Sequence, residues 1–152
     1  MDLYISSYIP SLSALIESHK PNSQDMGKPS ILLVAHPDEK IRMGFKEMKV
    51  VQDVDTQVKT LFAAKAKPTA VLAHLRNHRF VHIVCHGLLE PGKPFESSLK
   101  LHKGKRLMLL DIVRSQLPNA EFAFLSACHT ARLTDESIED EVLHLTAAMQ
   151  FC

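Results

Sequence analysis

Two short stretches of the sequence carry residues able to do nucleophilic chemistry. In "AEFAFLSACHTA" an apolar run, Phe122 to Leu125, stops at Ser126-Ala127-Cys128, and a histidine follows at once. In "RFVHIVCHGLLEPG" a second apolar run ends on His86-Gly87. A thiol of ordinary pKa is only a few per cent ionised at neutral pH and needs an imidazole or a helix N-terminus to activate it. His86 supplies the imidazole, and the chain turns toward a helix after Thr134. Gly87 lets a carbonyl group approach the backbone closely. The backbone N–H groups of Gly87 and Cys128 then form an oxyanion hole. The chemistry that follows is acyl transfer, with Cys128 as nucleophile and His86 moving the proton.

These residues need elements to bring them together. "ILLVAHP", "FVHIVC" and "EFAFLS" are continuous apolar runs, the pattern of strands buried on both faces of a parallel sheet. "LYISSYIP" is a shorter strand candidate, and "TQVKTLFA" alternates weakly and reads as another. Helical spacing runs through "SLSALIES", "FKEMKVVQDV", "PTAVLAHLRNH", "LLDIVRSQLP" and "SIEDEVLHLTAAMQ". Ser11 and Ser137 are N-cap candidates, Pro68 suits a first turn, and Glu139, Asp140 and Glu141 suit the positive end of a helix. "SLKLHKGKRLML" alternates around Lys103-Gly104, as a hairpin does. "HKPNSQDMGKPS", residues 19–30, is a flexible loop. Strands that alternate with helices predict an α/β layer fold with a mainly parallel sheet. In such sheets, sites gather at the carboxyl ends of strands. His86 and Cys128 each sit at such an end, so two neighbouring parallel strands would set them side by side.

Composition narrows the field. The 152 residues are 45% hydrophobic, enough for one domain with a sizeable core. A net charge of +1 gives no argument for a nucleic-acid or membrane-surface partner. No apolar run approaches the roughly 20 residues that span a bilayer. "MDLYISSYIP" lacks the basic and apolar regions of a signal peptide. Three cysteines do not make a disulfide framework, so a reducing, cytoplasmic setting is expected.

The neighbouring residues have plainer readings. Cys85 precedes His86, points to the opposite face of its strand and belongs in the core. His82 shares a face with His86 but lies over ~10 Å away along the strand, so it is read as packed or hydrogen-bonded. His36-Pro37 is a structural turn, His129 a loop histidine, and Asp135 to Glu141 a solvated helix start. Cys85-His86 and Cys128-His129 together offer two thiolates and two imidazoles to zinc. Adjacent strand residues point opposite ways, however, and the usual C-x2-C or H-x3-H spacing is missing. No metal ligand and no cofactor is assigned.

"HIVCHG" followed by "LSACHTA" resembles the CHAT family, the caspase-like domains often found beside TPR repeats. His86 precedes Cys128 by roughly 40 residues, close to the caspase separation. "YISSYIPSLSAL", "SSLKLHKG", "LPNAEFAFLSACHTA" and "DEVLHLTAAM" are similar to successive segments of the family, so the resemblance covers nearly all of residues 1–152 as one domain. It implies a caspase-type three-layer α/β/α sandwich with a His86–Cys128 dyad, acting as a cysteine endopeptidase on protein substrates in regulated signalling or cell death. It also implies a regulatory repeat-domain partner. Two features depart from the family pattern. His129 stands where Gln is common, and the chain stops at "AAMQFC", where similar proteins continue into another strand and helix; in caspase-type folds, strands after the cysteine help wall the substrate pocket. On that reading the domain is C-terminally incomplete, its sheet edge is open to self-association, and the alternative is a catalytically incomplete protein-interaction domain.

Overall fold

The computed structural model describes residues 16, 30–36, 43–54, 57–90 and 93–129, with the backbone alone at residues 94 and 127–129. The elements run β1 (Ile31–Ala35), α1 (Gly44–Val54), β2 (Lys59–Phe62), α2 (Pro68–Leu75), β3 (Phe80–Leu88), β4 (Ser98–Lys100), β5 (Arg106–Met108), α3 (Leu109–Arg114) and β6 (Phe122–His129). The expected "LYISSYIP" strand, the 19–30 loop before Ser30 and the "SIEDEVLHLTAAMQ" helix lie outside the described residues. So does all of the "SLSALIES" helix except Ile16.

The six strands form one sheet. Its main path runs β2-β1-β3-β4-β5, and β6 pairs with β3. β1 is parallel to β2 and β3, and β3 is parallel to β6. The β4–β5 hairpin alone runs antiparallel. Both β1 and β6 pair along Phe80 to Val84, so they occupy opposite edges of β3. β6 continues along its edge to Gly87, which leaves the β1 edge beyond Val84 for β4. β3 is thus the central strand, and its carboxyl half has β6 on one side and the hairpin on the other.

The side-chain period of two divides the core. Leu32 and Val34 of β1 and Val81, Ile83 and Cys85 of β3 face α2 and α3 in the larger apolar cluster. Leu33, Ala35 and Val84 face Met48 of α1 in the smaller one. Helices therefore cover both faces, which is the three-layer α/β/α arrangement. The continuous apolar runs of β1 and β3 follow from this, because both faces of each strand are covered. α2 starts at Pro68, whose fixed φ and missing N–H cost nothing at the first helical position. The ends of α2 and α3 are tied by Arg76 Nε donating to Ser115 O at 3.0 Å and Asn119 Nδ2 donating to Arg76 O at 2.9 Å.

The structure corrects the sequence reading in three places. β3 does not end at Cys85. It runs on through His86 and Gly87 to Leu88, because β4 offers Lys100, Leu99 and Ser98 as partners to that extension. β6 likewise continues through Cys128 to His129, so His129 stands in a strand and not in a loop. β6 is also less covered than its apolar run suggests, with Phe122 and Phe124 57% and 49% exposed. Among the described residues β6 has a strand on one side only, and an apolar run does not reveal whether its strand is central or at an edge. No helix of the described residues is long and apolar enough to cross a membrane.

Candidate functional site

The parallel register of β3 and β6 sets His86 directly opposite Cys128, and Gly87 opposite His129. Neighbouring strands lie ~4.8 Å apart, so the two backbone positions are close together. The paired positions fall within the last three residues of their strands, at the carboxyl edge of the sheet where ligand sites of parallel sheets gather. On its other side His86 faces Lys100 of β4, and Gly87 faces Leu99. His86 is buried, at 3% exposure, in the seam between β6 and the hairpin. The sequence expectation that the two apolar runs end side by side holds for the backbone.

Parity places the other residues. Cys85 is fully buried in the larger core, on the face opposite to His86. Burial pushes its thiol up to about 12, so Cys85 is an inert core residue, as its place in the alternation predicts. His36 follows β1, and its backbone N–H donates to Val84 O at 2.8 Å. Its ring packs edge-on against that of His102, in the turn of the β4–β5 hairpin, with centroids 5.6 Å apart. Among the described residues no three His, Cys, Asp or Glu side chains gather as a metal-binding set would require.

One cluster escapes the sequence reading. Glu47, in the first turn of α1, reaches down onto the sheet on the same face as His86. Its Oε1 lies 2.7 Å from His82 Nε2, and its Oε2 accepts from Ser126 Oγ at 2.7 Å. The His82 ring stacks on Phe124 with centroids 4.8 Å apart and planes 18° from parallel. His82 is thus hydrogen-bonded and packed, as expected, and stands ~13 Å from His86 along the strand. Ser126 has a sequence signal, since it lies two positions before Cys128 and so shares its strand parity. Glu47 has none, because nothing in a helix's own pattern says which strands its polar first turn will meet.

At the amino end of the same two strands, Arg79 and Glu121 form a two-pronged ion pair at 2.5 and 2.9 Å. The Arg79 guanidinium holds the Glu121 carboxyl below its ordinary range, chiefly through this hydrogen bonding. The backbone N–H groups of Glu121 and Phe122 both donate to Arg79 O. β3 and β6 are therefore fastened at their start by Arg79–Glu121 and farther along by Glu47.

No curated protein matches the chain. The family model for the CHAT domain matches residues 2–151, which spans every element described above and both members of the His86–Cys128 pair. With a mainly parallel α/β sheet and this match over nearly its whole length, the chain belongs to the CHAT domain family.

Proposed function

We propose that the chain is a caspase-like cysteine endopeptidase domain, with His86 and Cys128 as its catalytic dyad. The observation that carries this reading is the β3–β6 register, which sets the two positions opposite one another at the carboxyl edge of the sheet. In the reaction, the Cys128 thiolate attacks the carbonyl carbon of a substrate peptide bond and forms a C–S bond. The oxygen takes the negative charge, which backbone N–H donors at the carboxyl edge of the sheet stabilise. As the C–N bond breaks, the imidazolium of His86 gives its proton to the leaving amine. Water then attacks the thioester carbon, releases the carboxylic acid and restores the thiol. The substrates are proteins, the setting is cytoplasmic, no cofactor takes part, and a repeat-domain partner regulates the activity.

A second reading is a protein-interaction domain with an idle dyad. The half-exposed Phe122 and Phe124 on β6 favour it, since large apolar side chains beside a strand edge suit contact with another protein.

Thiol alkylation at Cys128, followed against pH by mass spectrometry, separates the two. An assembled dyad alkylates well below pH 8, and His86→Ala slows the reaction at pH 7 by about tenfold. His86→Gln keeps most of the buried side-chain volume, so a loss shared by both variants belongs to the imidazole and not to unfolding. An ordinary thiol profile that neither variant changes refutes the peptidase reading.

A further inference from the structure

We propose that Glu47 is a positioning residue for the His86–Cys128 pair, resting on the peptidase reading above. Its two carboxylate oxygens are divided between the two strands. One meets His82 of β3 and the other takes the Ser126 hydroxyl of β6, each at 2.7 Å. Glu47 itself belongs to neither strand, being anchored in α1 one residue before the buried Met48. The helix layer therefore clasps β3 and β6 together at a point two residues short of Cys128.

β6 needs such a clasp. Among the described residues it pairs with β3 only, and Phe122, Ala123 and Phe124 are exposed, so apolar burial does little to hold its amino half in place. The Arg79–Glu121 pair fastens the strand at its start. Between that point and Ser126, a one-residue bulge in β6 would turn Cys128 to the other face, and a two-residue slip would carry it ~6.6 Å from His86 along the strand. Either change takes Ser126 away from a carboxylate held on α1. The Ser126–Glu47 bond thus holds β6, as far as Ser126, in the register that leads Cys128 to its place opposite His86. His82 stacked on Phe124 adds a second contact that depends on the same register.

The clasp predicts a graded series of variants. Glu47→Ala removes both arms. Ser126→Ala removes the β6 arm alone, and Ser126→Thr keeps a hydroxyl there. Two readouts are needed, the pH profile of Cys128 alkylation and amide hydrogen exchange along residues 122–129. Glu47→Ala and Ser126→Ala are expected to slow alkylation at pH 7 by about tenfold, with the midpoint moving toward that of an ordinary thiol, while Ser126→Thr restores the wild-type profile. Exchange in the carboxyl half of β6 should rise about tenfold in the two alanine variants, with β1 unchanged. If exchange along 122–129 is the same in Glu47→Ala as in the wild type, the clasp is refuted whatever the thiol does. If the wild-type thiol is activated by His86 and its pH profile is untouched in both alanine variants, positioning is refuted while the peptidase reading stands. If the wild-type thiol is ordinary and exchange still rises, the clasp holds the strands but the peptidase reading fails. Uniformly faster exchange across the whole sheet would mark Glu47 as a general stabiliser and overturn the positioning role.

Discussion

Cys85 offers a test of the core that is independent of any activity. Its side chain is fully buried, and desolvation raises its thiol from 9.0 to about 12. In the unfolded chain the same thiol titrates near its ordinary value. Below pH 9 both states hold the proton, so Cys85 makes no pH-dependent contribution. Above pH 9 the unfolded state gives up its proton and the folded state keeps it, so stability falls as pH rises. The slope is about 1.4 kcal/mol per pH unit, and it continues until the folded thiol itself ionises. From pH 8 to pH 10 the loss owed to Cys85 is therefore ~1–2 kcal/mol. The assay is urea unfolding under reducing conditions at pH 8, 9 and 10, for the wild type and Cys85→Ala. The small cavity in the variant costs the same at each pH, and the other titrating groups are common to both proteins. The difference between the two pH slopes thus isolates the thiol. The wild type should lose stability faster than the variant. Parallel slopes would refute the argument that Cys85 is held protonated in a dry core. The same property keeps Cys85 silent in the alkylation assay, so reactivity in the native protein below pH 9 is not its own.

Two further predictions concern backbone conformation and polar burial. Gly104 adopts φ +70 in the hairpin turn with open space where a Cβ would stand, so Gly104→Ala should cost ~1–2 kcal/mol through left-handed backbone strain alone; an unchanged urea midpoint would show that the turn relaxes freely. Ser98 Oγ is buried with no hydrogen-bond partner among the described residues, so Ser98→Ala should raise stability by ~1 kcal/mol, and a clear loss instead would reveal a partner for the hydroxyl.

The sequence by itself determined the elements and much of their placement. Continuous apolar runs at Ile31–Ala35 and Phe80–Cys85 specified strands buried on both faces, because a strand covered by helices on each side has no solvent face to mark with polar residues. Alternation alone assigned Cys85 to the core and set His82 and His86 on one face. Lys103-Gly104 marked the hairpin, because one of its residues is glycine in a left-handed turn. The backbone pairing of His86 with Cys128 was legible as well, since both apolar runs read as neighbouring parallel strands.

Tertiary structure alone decided the rest. Strand ends depend on partners, and β3 runs to Leu88 because β4, and β6 as far as Gly87, pair with its extension. Exposure of a strand depends on its place in the sheet, so the same kind of apolar run is covered in β3 and half bare in β6. Glu47 is the clearest case. Its helical pattern fixes which way α1 turns its apolar side, but the carboxylate acquires His82 and Ser126 as partners only when α1 lies across β3 and β6. Those contacts join residues 35 and 79 positions apart, and no local spacing encodes them.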